Sequence, residues 1–366
     1  MRNSFIIIVL LGLLSAGWWL FSSYKQVITE PVVIYNTVSI EIEKGDSLDN
    51  ITDKLAMQGL LISPLWFKLI ALQKHVARQL KTGEYELTIG LSLPEIIDVL
   101  ALGKTKQHSI TFVEGWRFQD LLEVLQKNPY LEHTLTNSQA INGFIDSLNS
   151  HYNNPEGLFF PDTYFFSKHT TDTALLTRAY QKMSDLLVEE WLKRADNLPL
   201  KTPYQALILA SIIEKETAAV AERPQIAGVF SRRLQQDMLL QTDPTVIYGM
   251  GTGYHGNIST QDLTTPTPYN TYINKGLPPT PIAMPSKAAI NAALHPAEGD
   301  SLYFVARGDG THSFSSNLNQ HNQAVNQFQL APKIEEPPVI EKPVHLAHKT
   351  PKKNHKKSLK LRHKKR

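Results

Sequence analysis

The sequence predicts an α+β protein: an N-terminal transmembrane helix, a small α+β module, a larger mixed α/β domain and a disordered basic tail. An uncharged apolar run extends from Phe5 to Phe21. After it, segments that alternate like strands are followed by apolar stripes at helical spacing. Beyond Leu330 the chain is rich in Pro, Lys and His and has no hydrophobic period. We expect these four segments to cover residues 1–25, 26–108, 109–330 and 331–366.

The apolar run is just long enough for a helix that crosses a bilayer. Trp18, Trp19 and Tyr24 stand where an interfacial aromatic belt would lie. Arg2 precedes the run and Lys25 follows it, so the charges give a weak signal that favours a cytoplasmic N-terminus. A cleaved signal peptide is the alternative, but no small-residue cleavage site follows the run, and we expect an uncleaved anchor.

Cysteine is absent from the chain, which excludes disulfides and cysteine metal sites. The formal net charge is +3, but ten Lys and Arg and no acid occur between Lys349 and Arg366. This tail is either a solvated segment or a weak contact to anionic lipid or another envelope polyanion. Nucleic acid is not an expected partner, because an anchored chain that faces outward does not meet it.

The small module has the predicted order strand, helix, helix, strand, helix. The strands are Thr37–Ile42 and Tyr85–Ile89, and Asp46 or Ser47 can cap the first helix. A further strand, Ser109–Val113, opens the larger domain.

The stretch "LILASIIEKETAAVAERPQ" predicts a buried helix that ends in two carboxyl groups. Thr202 and Pro203 suit its start as N-cap and first helical residue. Glu214 shares a face with mostly small residues, whereas Glu216 lies nearly opposite. Apolar surroundings would favour the neutral acid and raise the pKa of Glu214, which suits a general acid. The alternative is an ordinary helix end that meets solvent.

Two polar loops follow this helix. Asp243, held by Pro244 in "LQTDPTVIYGMG", could accept hydrogen bonds from sugar hydroxyls or could cap a turn. The segment 265–286 combines Tyr, Asn and Pro, and such residues suit carbohydrate because rings stack on sugars and amides pair with hydroxyls. A rigid structural loop is the alternative.

The histidines predict no metal site. His255, His295, His312 and His321 are scattered and have no ligand spacing such as HExxH. The sequence contains no Walker A, GxSxG or dinucleotide fingerprint. We therefore expect neither a metal nor a cofactor.

Eight sequence blocks occur in one order between residues 156 and 314: "EGLFFPDTY", "LASIIEKET", "ERPQIAGVFSRRL", "LQTDPTVIYGMG", "PTPYNTY", "GLPPTPIAMPS", "AALHPA" and "LYFVARGDGTHSF". Together they closely resemble the endolytic murein transglycosylases, also called the YceG-like or MltG family. The resemblance covers roughly residues 37–330 and includes the N-terminal anchor, but not the basic tail.

The resemblance implies a single-pass inner-membrane enzyme that cuts nascent peptidoglycan strands in the periplasm and ends their elongation. It implies a LysM-like module at 26–108, a catalytic domain at 109–330 and peptidoglycan synthases as possible partners. The catalytic residue it implies is Glu214, the first Glu of "EKET". Asp243, Tyr248, Asn270 and Tyr272 are the expected substrate contacts.

The expected reaction cleaves the β-1,4 bond between N-acetylmuramic acid and N-acetylglucosamine. Glu214 would protonate the leaving oxygen and then accept the proton of the C6 hydroxyl, which closes a 1,6-anhydro ring without water. Asp243 or the N-acetyl oxygen of the substrate would stabilise the developing positive charge. Two alternatives remain: a hydrolase that uses water, and a non-catalytic peptidoglycan-binding scaffold of the synthesis machinery.

Overall fold

The computed structural model describes residues 2–33, 35–60, 62–148, 152 and 154–330. The tail predicted at 331–366 lies outside the described residues. The chain begins with helix α1 (Arg2–Thr29). Its segment Ile6–Thr29 is long and apolar enough to cross a membrane, and the protein buries none of its most apolar stretch. The helix is therefore compatible with either the predicted anchor or a signal sequence.

The small module has the predicted order of elements. They are β1 (Val38–Ile42), α2 (Leu48–Met57), α3 (Pro64–Gln73), β2 (Gly83–Leu87) and α4 (Leu93–Leu102). The two strands pair antiparallel, with Ile40 opposite Tyr85. Ser47 caps α2 by accepting a hydrogen bond from the Asn50 amide. Strand β2 begins at Gly83, two residues before the predicted Tyr85.

The larger part of the chain surrounds α8 with other helices. Its elements are β3 (Gln107–Thr111), α5 (Phe118–Gln126), β4 (Leu131–Glu132), α6 (Ser138–Ser147), β5 (Thr163–Ser167), β6 (Thr170–Thr171), α7 (Asp172–Leu192), α8 (Pro203–Glu216), α9 (Arg223–Gln235), α10 (Asp243–Met250), α11 (Thr260–Thr264), α12 (Lys287–Leu294), β7 (Tyr303–Ala306), β8 (His312–Ser315) and α13 (Leu318–Val325). Strands β3 and β5 pair antiparallel, as do β7 and β8, while β4 and β6 pair parallel. Helices α7, α9, α10 and α12 pack against α8.

Two clusters of buried apolar side chains hold these elements together. One draws its members from Val33 to Leu100 and fills the small module. The other draws its members from Ile110 to Leu294. The mixed α+β architecture is thus the one predicted, while the division at residue 108 and the LysM-like character of the module remain predictions.

Helix α8 begins and ends as its sequence dictates. The Thr202 hydroxyl accepts a hydrogen bond from the Gln205 amide, and Pro203 occupies the first helical position. Every side chain from Ala206 to Ile213 is buried, so neighbours cover both sides of the helix. The carboxyl groups that follow therefore enter the protein interior instead of meeting solvent on one face.

The cap of α8 predicts a matched pair of variants. Thr202→Ala removes the oxygen that accepts from Gln205, and we expect it to destabilise the protein by about 1 kcal/mol. Thr202→Ser keeps that oxygen and should unfold close to the wild type. Thermal unfolding of the detergent-solubilised full chain, followed by circular dichroism, measures both. Equal midpoints for the two variants would contradict this role of the cap.

Candidate active site

The last turn of α8 carries Glu214 into a network of hydrogen bonds. One carboxylate oxygen accepts from Nη2 of Arg223 at 2.8 Å. The other accepts from the Ser286 amide at 2.9 Å and the Ser286 hydroxyl at 2.5 Å. Nη1 of Arg223 also donates to the Ser286 hydroxyl, at 2.6 Å. The start of α9 and the start of α12 are thereby tied to the end of α8.

The Glu214–Arg223 ion pair is buried, with the two side chains 6% and 5% exposed. The expectation that apolar neighbours surround Glu214 is therefore wrong: a guanidinium, an amide and a hydroxyl face its carboxylate. Burial raises the pKa of the nearby Glu114, and the negative charge of Glu214 raises it further. The structure thus places Glu214 in a buried ion pair, and its catalytic role remains a prediction.

Glu216 lies on the opposite side of the helix and lines a cavity of about 540 Å³. Its carboxyl group accepts a hydrogen bond from the Thr242 hydroxyl. Asp243 and Tyr272 line the same cavity, whereas Glu214 is not among its lining residues. The structure thus brings two of the predicted substrate contacts together with the second carboxyl group of "EKET" instead of the first.

Burial raises the pKa of Glu216 to about 7, although the hydrogen bond from Thr242 acts in the opposite direction. The charge of Asp243 raises the pKa further. A substantial fraction of Glu216 is therefore protonated near neutral pH. These are the properties that the sequence led us to expect of Glu214, and the structure gives them to Glu216.

Asp243, the first residue of α10, is oriented by Tyr272. The Tyr272 hydroxyl donates to Oδ1 of Asp243 at 2.6 Å. Burial, followed by this contact with Asp243, raises the pKa of Tyr272, so the phenol keeps its proton. A fixed carboxylate next to a carboxylic acid is the pattern seen where two acidic groups have different roles in one site.

The loop that carries Tyr272 is attached to the loop that carries Asp243. The Thr271 hydroxyl accepts from the Thr242 amide at 3.1 Å, and the Gln241 amide donates to the Thr271 carbonyl at 3.1 Å. Asn270 is only 1% exposed. Its side-chain NH2 group donates to the carbonyls of Leu263 and Thr265, and its side-chain oxygen accepts from the Tyr272 amide. The position of Asn270 therefore indicates that it shapes this loop, and it does not line the cavity.

Tyr248 belongs to a separate buried group. Its hydroxyl donates to Oε2 of Glu156 at 3.0 Å, and the Phe118 amide donates to Oε1 of Glu156 at 2.9 Å. The Arg117 guanidinium lies 5.0 Å from the centre of the Tyr248 ring. Burial raises the pKa of Glu156 to about 7. Tyr248 is not among the residues that line the cavity with Glu216, so the structure does not place it beside Asp243 and Tyr272.

Arg233 also lines this cavity. The Arg233 side chain donates to the carbonyls of Leu239, Leu240 and Leu302 and to the side-chain oxygen of Gln241. All these acceptors are neutral, and burial lowers the pKa of this guanidinium. Arg233 holds the loop that leads to Asp243 and also gives the cavity a buried positive charge.

No group of three or more His, Asp or Glu side chains that could hold a metal ion occurs within the described part of the chain. His312 pairs with Glu222 at 2.7 Å, and the ring of His321 stacks on Tyr303. Both histidines line the cavity.

The profile of the YceG-like family matches residues 40–327 of this chain. The chain belongs to the YceG-like family. An endolytic murein transglycosylase of Bacillus subtilis (strain 168) is 32% identical over 323 residues, which cover 83% of this chain and 89% of that protein. A crystal structure of a YceG-like protein from Listeria monocytogenes aligns with a TM-score of 0.51 at 28% identity, over 79% of this chain and 98% of that one.

An endolytic murein transglycosylase of Streptococcus pneumoniae (serotype 2, strain D39) is 29% identical over 354 residues and 87% of this chain. This chain covers 63% of that longer protein. The family match is therefore carried by the part that contains both the small module and the cavity.

Two features of this site were missed by reasoning from the sequence. One is the cavity position of Glu216, and the other is the pairing of Glu214 with Arg223 and Ser286. A signal for the pairing was present, because Arg223 follows Glu214 by only nine residues across a short 3-10 turn. Ser286 lies 72 residues after Glu214, and the sequence alone gave no sign of their contact.

The buried ion pair predicts a double-mutant cycle. Arg223→Met leaves the Glu214 carboxylate without its counter-charge, and we expect a loss of about 3–5 kcal/mol in stability. Adding Glu214→Gln to Arg223→Met should recover part of that loss, because no unpaired charge is then buried. Unfolding of the four proteins in denaturant measures the coupling. Additive effects of the two substitutions would show that the pair is not energetically coupled.

Proposed function

We propose that this protein is an endolytic murein transglycosylase, a lyase that cuts glycan strands of peptidoglycan. Support comes from the family match and from two relatives that carry this name and align over most of the chain. The observation that supports a particular active site is the cavity lined by both Glu216 and Asp243, in which the pKa of Glu216 is raised.

In this proposal Glu216 is the general acid. A carboxyl group with a pKa of about 7 holds its proton near neutral pH and can pass it to the leaving oxygen of the β-1,4 bond. The resulting Glu216 carboxylate then accepts the proton of the C6 hydroxyl of the N-acetylmuramic acid whose C1 has lost the leaving oxygen. The C6 oxygen bonds to C1, and the product end is a 1,6-anhydro ring. No water is consumed, so one carboxyl group serves both steps.

Asp243 stabilises the positive charge that develops at C1 as the glycosidic bond breaks. A carboxylate fixed near the reacting carbon lowers the energy of an oxocarbenium-like transition state. The hydrogen bond from Tyr272 holds this carboxylate in place. Arg233 acts at greater distance by fixing the loop of residues 239–241, and the ion pair of Glu214 with Arg223 fixes the end of α8.

The remaining parts of the proposal concern location. The segment Ile6–Thr29 would anchor the protein in the inner membrane with its N-terminus in the cytoplasm and its catalytic domain in the periplasm. The small module within residues 26–108, from β1 to α4, would be a LysM-like contact to glycan. Anchoring near the membrane raises the effective concentration of nascent strands, which are made there. Synthases are candidate partners, and the tail at 331–366 has no assigned role.

The choice between the two carboxyl groups is tested by Glu216→Gln and Glu214→Gln. Glu216→Gln keeps the shape but cannot deliver a proton, and we expect it to lower the rate of glycan cleavage by roughly 10²–10⁴-fold. Glu214→Gln keeps a partner for Ser286 but leaves the buried Arg223 without its counter-charge, so the two variants are compared at a temperature at which circular dichroism shows both to be folded. Under that condition we expect Glu214→Gln to retain most of the activity. Nascent glycan is digested with each full-length variant in detergent, and its fragments are analysed by mass spectrometry.

Three results would change this assignment. Loss of activity in Glu214→Gln together with an active Glu216→Gln would return the role to Glu214. Products heavier by about 18 Da than the anhydro form would indicate a hydrolase that uses water. Two fully active variants would show that neither carboxyl group delivers the proton, and a wild type without activity would favour the non-catalytic scaffold.

The raised pKa of Glu216 predicts the pH profile. Its neutral form predominates below a pH of about 7, so kcat/KM should fall as the pH rises through this value. Asp243→Asn removes a charge that raises this pKa, and the alkaline limb should move to lower pH as well as to lower rate. The alkaline limb is measured from initial rates between about pH 5 and 9, which extends about 2 pH units to each side of this pKa. An unchanged limb in Asp243→Asn would show that the two groups are not coupled.

A further inference from the structure

Helix α3 exposes a row of leucines that no described part of the protein covers. Leu65, Leu69 and Leu72 recur at the spacing of one helix face and are 61%, 45% and 59% exposed. The opposite face carries Phe67, which is fully buried in the core of the small module. Three large apolar side chains in one exposed row mark an interaction surface more often than scattered single ones do.

Helix α3 is attached to α1 where α1 leaves its apolar segment. The Tyr24 hydroxyl donates to the Gln73 side-chain oxygen at 3.0 Å, and the rings of Tyr24 and Trp66 lie 5.7 Å apart. Trp66 and Gln73 form the edge of α3 between its buried face and its leucine row. Val27 and Ile28, one turn further along α1, pack against the core of the module. The module therefore lies at the C-terminal end of the apolar helix.

This arrangement orients the leucine row. The buried face of α3 points into the module, so the row points away from it. Tyr24 contacts the edge of α3 that borders the leucine row, so the row lies close to the end of the apolar helix. Tyr and Trp are also the residues typical of the membrane–water boundary, and Tyr24 and Trp66 meet at this point.

We propose that α3 rests on the lipid surface through Leu65, Leu69 and Leu72, as a second membrane contact beside α1. The leucines enter the boundary between headgroups and acyl chains, as the apolar face of an interfacial helix does. Two contacts restrict rotation and tilt of the module, and this fixes the direction in which the rest of the chain leaves the bilayer. The inference rests on the proposed role of α1 as an anchor.

The absence of cysteine allows a direct test. A single cysteine is introduced in the full-length chain at Leu69, at Leu14 within α1, or at Leu192 at the end of α7, and each is labelled with an environment-sensitive dye. Leu69 and Leu192 are both exposed, so neither substitution opens the core. Each labelled protein is reconstituted in vesicles with and without brominated phospholipids, which quench a dye that contacts acyl chains.

We expect the dye at residue 69 to emit at shorter wavelength than the dye at residue 192 and to lose intensity with brominated lipid. The dye at residue 14 should also be quenched. If the dye at residue 14 is quenched but the dye at residue 69 emits as in water and is not quenched, the α3 contact is overturned and the anchor is retained. A shifted but unquenched dye at 69 would show that protein covers the row. No quenching at 14 would remove the anchor, and the α3 contact with it.

Discussion

The burial of the C-terminal end of α8 is the constraint on which the site depends. Neighbouring helices cover this helix on both sides, so two carboxyl groups separated by one residue both enter the interior. Burial of a charged carboxylate is costly unless a partner or a proton compensates it. Glu214 obtains a partner, Arg223, and Glu216 obtains a raised pKa. The same short sequence thus places one carboxyl group in a buried ion pair and the other at a cavity.

The two solutions support each other. The pair of Glu214 with Arg223, together with Ser286, ties α8 to the starts of α9 and α12 and so fixes the backbone that carries Glu216. On the cavity side, Thr242 and Asp243 reach Glu216 from a loop that is held by Arg233 and by Thr271. Glu216 and Asp243 are therefore positioned by separate elements, each with its own hydrogen bonds.

Much of the framework could be predicted from the sequence, because it depends on local patterns. The apolar run, the order of elements in the small module and the start of α8 at Thr202 are set by periodicity and capping, and the structure has them. Asp243 and Tyr272 were each singled out from their residue types and loops, and both line one cavity, but the sequence did not show that they lie together.

The orientation of the two glutamates could not be predicted in this way. Helical periodicity shows that Glu214 and Glu216 lie on opposite sides, but it does not show which side faces a cavity when both sides are buried. That outcome is decided by Ser286 and Thr242, which come from distant loops. Asn270 and Tyr248 illustrate the same limit: their residue types suit sugar binding, yet their hydrogen bonds serve the protein itself.

The central claim is that the scissile bond lies against Glu216. A crystal structure of Glu216→Gln with a bound peptidoglycan oligosaccharide tests it most directly. The account predicts a glycosidic oxygen within hydrogen-bonding reach of the residue 216 side chain, about 2.6–3.2 Å, with Asp243 beside the muramic C1. A glycan bound along the Glu214 side of α8, with the cavity of Asp243 and Tyr272 empty, would contradict it.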